Sequence, residues 1–212
     1  MRQNNYINLP KIIGHRGVKN LAPENTLNSI AKAFEIGLDW VEVDVKISRD
    51  KIPFLLHDDT LNRTTNGYGS ANLKKYSEIK LLDAGNFFYN KKTNIYPPSL
   101  YEVLELIRKK KKSLNIELKP NKGFERVNVL KTIEVMKKFS DIEVYYSSFD
   151  IDSCILLKKI LPASHCSLLI DDFDKIKLQD IIDLCNKFDF FQCGLNFKIV
   201  CKDFIELFNY NN

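Results

Sequence analysis

Residues 40–47 read WVEVDVKI, and this run decides the fold class. Polar and apolar residues alternate without a break, which is the period of a strand. Val41, Val43 and Val45 therefore share one face, and Glu42, Asp44 and Lys46 share the other. A second run, NIELK at 115–119, repeats the pattern: Ile116 and Leu118 on one face, Asn115, Glu117 and Lys119 on the opposite one. A water-exposed edge strand would account for either run alone. Parallel strands of βα folds, however, are covered on both faces, so three acids on two strands need compensation. Two routes stay open. Lys46 and Lys119 can pair with the carboxylates, one divalent cation can sit among Glu42, Asp44 and Glu117, and with two lysines against three acids both can operate. Ligands that are all oxygen suit Mg2+ or Ca2+ better than Zn2+.

Outward from these runs the chain keeps one rhythm. KIIG (11–14) is a short apolar run, and KIPFLLH (51–57) is strand-like after the turn-like SRD. Residues 25–36 carry Leu27, Ile30, Ala31 and Phe34 at helical spacing, with Asn25 placed to cap and Gly37 to terminate. SLYEVLELIRKKK opens with Ser99 and Glu102, a capping box, and reads as a helix. A helix around 124–138 follows NIELK, and IEVYYSSF then DIDSCILLKKI reads as strand then helix. HCSLLID, KIKLQDIIDLCNKF, DFFQCGL and CKDFIELFNY continue the beat. This alternation predicts an α/β fold built on a parallel sheet, and 212 residues suit a single domain. One interval breaks the rhythm. Residues 58 to 96 hold no long periodic element and read as a small subdomain draped over a site, with NRTTNG (62–67) an ordered turn and NFFY (86–89) an apolar wall.

Composition narrows the class. With 44% hydrophobic and 28% charged residues the chain is an ordinary soluble globular protein. Part of its net charge of +5 sits in RKKKK at 108–112, which reads as a solvated helix end suited to the macrodipole. No stacking aromatics are interleaved with those cations, which argues against nucleic acid as a partner. Five cysteines, an odd number without a C-x-x-C pair, read as buried reduced thiols. No run has signal-peptide or bilayer-spanning length, so the sequence predicts a cytoplasmic protein without a transmembrane segment.

Of only three histidines, two, His15 and His57, lie at the ends of strand-like runs. The C-terminal ends of parallel strands are where α/β folds assemble their sites. Two such histidines beside two carboxylate-bearing strands read as an acid/base pair, whereas His165, at the start of a run, reads as structural.

An ordered set of segments resembles the glycerophosphodiester phosphodiesterase family: GHRG (14–17), PENT (23–26), EVDV (42–45), HDDTLNRTTNG (57–67), IELK (116–119) and SSF (147–149). The resemblance runs from about residue 11 to 200. It implies a TIM-type (β/α)8 barrel with a small insertion after strand 2, which matches the 58–96 interval. It also implies metal-dependent hydrolysis of small-molecule glycerophosphodiesters to glycerol 3-phosphate and an alcohol. Carried over by position, Glu42, Asp44 and Glu117 would hold one divalent cation, Mg2+ or Ca2+. His15 and His57 would be general acid and base, and Arg16 and Lys119 would bind the substrate phosphate. Glu24 and Asn25 would act directly or shape the site, and Phe149 would be a pocket wall.

About six barrel strands precede the terminal FNYNN, so the last one or two βα units are expected to be missing. Open barrel edges would then favour self-association. The alternative expectation is a truncated, catalytically impaired family member that binds a phosphodiester or has no remaining activity. A phospholipase-D-like activity on lysophospholipids would require a membrane-facing apolar lip, which the sequence does not identify.

Overall fold

The structure, a computed structural model, describes residues 7–172, 178–200 and 205. They fall into two compact units that divide between Val144 and Tyr145. The first contains α1 (Leu27–Glu35), β1 (Trp40–Ile47), β2 (Pro53–Leu55), α2 (Tyr76–Ile79), α3 (Asn86–Tyr89), α4 (Leu100–Lys110), β3 (Ser113–Leu118) and α5 (Glu125–Met136). Then come β4 (Val144–Ser148), α6 (Ile151–Ile160), β5 (Cys166–Ile170), α7 (Leu178–Phe188) and β6 (Gln192–Leu195).

In the first unit β1 lies between β2 and β3. Its pairing with β3 is parallel, and the register sets Glu42 beside Asn115 and Asp44 beside Glu117. All eight residues of β1 are buried, Asp44 completely. The edge-strand explanation of the alternating pattern therefore fails: the acids face the interior. The opposite face carries Val41, Val43 and Val45, each fully buried, and α5 packs on this strand. Asn128 of α5 donates from Nδ2 to the Val45 carbonyl at 2.8 Å, pinning helix to strand.

Three local features differ from the sequence reading, each for a physical reason. β2 is antiparallel to β1, with Lys46 opposite Phe54. The connection is a tight turn, in which Lys51 N–H donates to the Ser48 carbonyl at 2.9 Å and Lys51 takes φ 64°. A link that short can only reverse the chain, since parallel neighbours need a long crossover. KIIG forms no strand. Only Gly14 pairs, in an isolated parallel bridge to Val41, and Ile12 is 67% exposed. The chain turns away immediately after Gly14, so no ladder can grow. Finally, Thr26 rather than Asn25 caps α1, its side chain accepting from Ser29 N–H at 3.2 Å. Asn25 adopts φ 55° and uses its side chain elsewhere. Gly37, at φ 93°, ends the helix as expected.

The Ser99–Glu102 capping box forms at the start of α4. Lys109 and Lys110 lie in its exposed last turn, Lys111 caps it at φ 53°, and Lys112 beyond the cap is half-buried and pairs with Asp39. Arg108 pairs with Asp141 and stacks its guanidinium 4.4 Å from the Phe139 ring centroid. The 58–96 interval packs onto β2 and the residue after it: Leu61, Ala71 and Ile79 cluster with Phe54 and Leu56, and Tyr76 and Leu82 pack against them. Within NRTTNG, Thr65 Oγ1 donates to the Leu61 carbonyl at 2.6 Å and accepts from Gly67 N–H at 3.0 Å. NFFY is α3, and Phe87, Phe88 and Tyr89 are largely exposed.

In the second unit β4, β5 and β6 are parallel neighbours, with Tyr146 beside Cys166 and Ser167 beside Gln192. Cys154 and Cys166 are buried, Cys185 and Cys193 are half-buried, and all four are free thiols. Cys201, residues 175–177 of the expected helix and CKDFIELFNY apart from residue 205 lie outside the described residues. His165 packs edge-on against Phe191, 4.8 Å between ring centroids. No helix among the described residues is long and apolar enough to cross a membrane.

Candidate active site

The parallel β1–β3 register brings together what the sequence separates by more than 70 residues. Oxygens of Glu42, Asp44 and Glu117 lie within 4.8 Å of one another, and all three residues are buried. Burial first, then the charges of Asp44 and Glu117, raises the Glu42 carboxyl well above its ordinary range. Burial and Asp44 likewise raise Glu117, against the opposing pull of Lys119. Glu42 Oε1 and Asp44 Oδ1 are buried and accept no hydrogen bond. An all-oxygen, anionic donor set with unsatisfied buried acceptors fits one hard divalent cation.

The lysine alternative is met by one residue of the two. Lys119 Nζ donates to Glu117 Oε1 at 2.6 Å and lies 3.5 Å from Asp44 Oδ1. Lys46, although buried and on the face of Glu42 and Asp44, donates to Asp59 Oδ1 at 2.8 Å and to the Lys119 carbonyl at 3.1 Å. It ties the start of the 58–96 interval to the end of β3. Of the two lysines, it is Lys119 that pairs with the acids.

His15 and Arg16 occupy the turn that follows the Gly14 bridge. Arg16 is held at φ 53°, a costly conformation for a non-glycine residue. It is kept there by several bonds. Its N–H donates to Glu42 Oε2 at 2.8 Å, while its carbonyl accepts from Ser29 Oγ at 2.9 Å and from Asn25 N–H at 3.1 Å. Gly17, at φ 80°, donates to the Glu42 carbonyl at 3.1 Å. A Cβ at Gly17 would fall 2.6 Å from the Ser29 carbonyl carbon, so only glycine fits this approach. The turn aims the Arg16 guanidinium inward, Nε 3.3 Å from Asp44 Oδ2 and Nη1 donating to Glu24 Oε1 at 2.8 Å.

His15 Nε2 lies 3.8 Å from Glu42 Oε2. Burial, then the charges of Arg16 and Lys19, lowers its pKa to about 4. His57 lies shortly beyond β2, and burial lowers its pKa despite the Asp58 carboxylate beside it. Both imidazoles are therefore neutral near pH 7, as a proton acceptor must be. His57 Nδ1 is 2.7 Å from Asp58 Oδ1. Glu24 is held at about 2: burial pushes it up, but hydrogen bonds from Arg63 and the charge of Arg16 outweigh it. Asn25 reaches from its turn to Asp44 on β1.

The first unit thus brings nine sequence-predicted residues into one neighbourhood: His15, Arg16, Glu24, Asn25, Glu42, Asp44, His57, Glu117 and Lys119. Phe149 belongs to the second unit, one residue past β4, and is 48% exposed. Two residues of this neighbourhood escaped the sequence reading, Asp58 and Arg63, each hydrogen-bonded to a residue it had named. The available signal was the acid directly after His57 in HDDTLNR.

The family model for the glycerophosphoryl diester phosphodiesterase family matches residues 15–206. A glycerophosphodiester phosphodiesterase of Caldanaerobacter subterraneus subsp. tengcongensis is 39% identical over 163 residues, 74% of this chain and 65% of that protein. One of Bacillus altitudinis is 35% identical over 176 residues, 82% of this chain and 71% of that protein. The matched region therefore spans about two thirds of the length of these curated relatives. Among solved structures, an Oleispira antarctica phosphodiesterase in complex with the product sn-glycerol-3-phosphate is similar with a TM-score of 0.77. It is 30% identical, and the match covers 95% of this chain and 90% of that one. This likeness agrees with the α/β class expected from the strand–helix alternation and with the barrel that the family resemblance implies. The chain belongs to the glycerophosphoryl diester phosphodiesterase family.

Proposed function

We propose that the chain hydrolyses glycerophosphodiesters to glycerol 3-phosphate and an alcohol. The observation that carries this reading is the buried Glu42–Asp44–Glu117 trio, with two neutral imidazoles and two cationic side chains in the same unit. Glu42, Asp44 and Glu117 would hold one divalent cation, Mg2+ or Ca2+. Such an ion would supply positive charge against the phosphate and ease deprotonation of the attacking oxygen.

The remaining work falls to the chain's own residues. A phosphodiester anion repels nucleophiles, so Arg16 and Lys119 place positive charge against its oxygens. One of His15 and His57 takes the proton of the attacking oxygen, which is water or the substrate's own glycerol hydroxyl. The other takes up a proton from solvent once the anionic substrate is bound and gives it to the departing alkoxide. Glu24 and Asn25 shape the site by holding Arg16 and Asp44. In this reading residues 1–212 work as one domain with 58–96 as its insertion, and cysteine usage supports a cytoplasmic setting.

The test is release of glycerol 3-phosphate from glycerophosphocholine by the purified chain with Mg2+ or Ca2+, beside EDTA and Glu42→Ala controls. Metal-dependent release that is lost in the variant supports the reading. A folded, metal-binding protein that releases nothing from this substrate or from other glycerophosphodiesters overturns it in favour of a binding-only member.

A further inference from the structure

Arg63 has no role in the scheme above, yet it joins two parts of it. Its Nε donates to Asp58 Oδ2 at 2.7 Å and its Nη2 to Asp58 Oδ1 at 2.8 Å. The same guanidinium donates from Nη1 to Glu24 Oε2 at 2.9 Å and from Nη2 to Glu24 Oε1 at 2.8 Å. It is a double fork, two parallel pairs of bonds to two carboxylates. Each carboxylate then touches a residue of the proposed machinery. Asp58 Oδ1 lies 2.7 Å from His57 Nδ1, and Glu24 Oε1 accepts from Arg16 Nη1 at 2.8 Å. An unbroken run of charge-assisted contacts therefore leads from His57 through Asp58, Arg63 and Glu24 to Arg16.

A clamp for stability is the simpler explanation, and it predicts a lower melting temperature without Arg63 but no change at His57; the side chain is 46% exposed, while its partner Glu24 is 14% exposed. What the clamp does fix is direction. Arg63 links the 58–96 interval to Glu24, 39 residues earlier in the chain. It ends at a candidate proton carrier on one side and a candidate phosphate ligand on the other.

We propose that Arg63 is a positioning residue that sets the tautomer of His57 through Asp58 and the direction of the Arg16 guanidinium through Glu24. The hydrogen bonds from Arg63 hold the Asp58 carboxyl well below the usual carboxylate range, so it is ionised and can only accept. Neutral His57 must then carry its proton on Nδ1, which leaves the Nε2 lone pair to take a proton from the reaction. Without Arg63, Asp58 turns to water and the imidazole samples both tautomers. Glu24 loses two of its donors, and Arg16 loses the fixed carboxylate that orients it. Lysine cannot substitute, because an ammonium is a point donor and cannot fork to two carboxylates.

The kinetic arm of the test rests on the hydrolase reading; the spectroscopic arm does not. Long-range 15N–1H correlation NMR on the intact chain reads the tautomer of His57, identified by its loss in His57→Gln. We expect Nδ1–H in the native chain and a mixed population in Arg63→Met and Asp58→Asn. With glycerophosphocholine and Mg2+ or Ca2+, Arg63→Met should lower kcat about tenfold or more, within the usual scale for general acid–base effects. It should also raise KM, Arg63→Lys should fail to restore either, and the melting temperature should change little. An unaltered His57 tautomer in Arg63→Met overturns the proposal, whatever the activity. If the native chain hydrolyses no glycerophosphodiester, the hydrolase reading falls and the tautomer alone decides. If Arg63→Met does not fold, the same spectra of Arg63→Lys decide.

Discussion

Asn25 and Asp44 hold each other at two points. Asn25 Nδ2 donates to Asp44 Oδ2 at 2.7 Å, and its Oδ1 accepts from the Asp44 backbone N–H at 3.1 Å. The clasp joins the PENT turn to the middle of β1 and aims a fully buried carboxylate. It also accounts for the φ of 55° at Asn25, a conformation that asparagine tolerates better than most residues.

Asn25→Ala should therefore leave the buried Asp44 backbone donor without its partner and Asp44 Oδ2 with the Arg16 guanidinium at 3.3 Å alone. The expected loss is about 1–3 kcal/mol, the usual cost of an unsatisfied buried polar group. Urea unfolding measures it, and an unchanged midpoint would mean that the clasp is incidental.

Glu42→Gln should act in opposite directions with and without metal. In EDTA it removes one of three mutually repelling buried carboxylates, so the variant should melt above the native chain. In Mg2+ or Ca2+ the native chain should rise, because the ion binds only the folded state, and the variant should not follow. The sign with pH follows from the raised Glu42 carboxyl. Above its ordinary value of 4.5 the unfolded chain releases this proton first, so metal-free stability falls as pH climbs through the folded pKa. A variant that still responds to metal would remove Glu42 from the ligand set.

Glu102 shows the reverse linkage. It accepts from Tyr76, Tyr96, Lys80 and Ser99, tying the 58–96 interval to α4. Burial pushes its carboxyl up, but these donors prevail and hold it at about 2, below the ordinary 4.5. Its contribution is fully present above 4.5 and is lost as pH falls toward 2. Glu102→Gln should be less stable than the native chain at pH 6, with the gap closing toward pH 2. Urea midpoints across that range test it, and a gap independent of pH would reject the linkage.

His57→Ala should lower kcat for glycerophosphodiester hydrolysis by about 10² or more, the scale of a lost general acid or base. Stopped assays at saturating substrate read this directly. Near-native turnover would remove His57 from the chemistry.

Much of this protein can be read from local pattern. The period-two alternation of WVEVDVKI and NIELK identified the two strands and set the acids on the face opposite the aliphatic residues, because side-chain direction in a strand depends only on parity. Ser99 and Glu102 marked the start of α4 for the same local reason, a cap being satisfied within one turn of chain. His15 and His57 stood out by their places after apolar runs. Local pattern misled where a residue had a stronger distant partner. Asn25 has the chemistry of a cap, yet Asp44 claims its side chain and Thr26 caps in its place. KIIG has strand composition, but only Gly14 meets a neighbour before the chain turns.

Sequence by itself determined which residue types were available and on which face of each strand they lie. Only the tertiary structure decided their partners. The β1–β3 register set Asp44 beside Glu117, and a one-residue slip would have turned one of them away from the other. Likewise, 32 lysines and arginines and 27 acids leave the choice of ion pairs open. Folding chose Arg63 for both Asp58 and Glu24, and sent Lys46 to Asp59 while keeping Lys119 against Glu117. Charge attracts without regard to position in the chain, so its partners are set by the backbone geometry that brings them within a few ångströms.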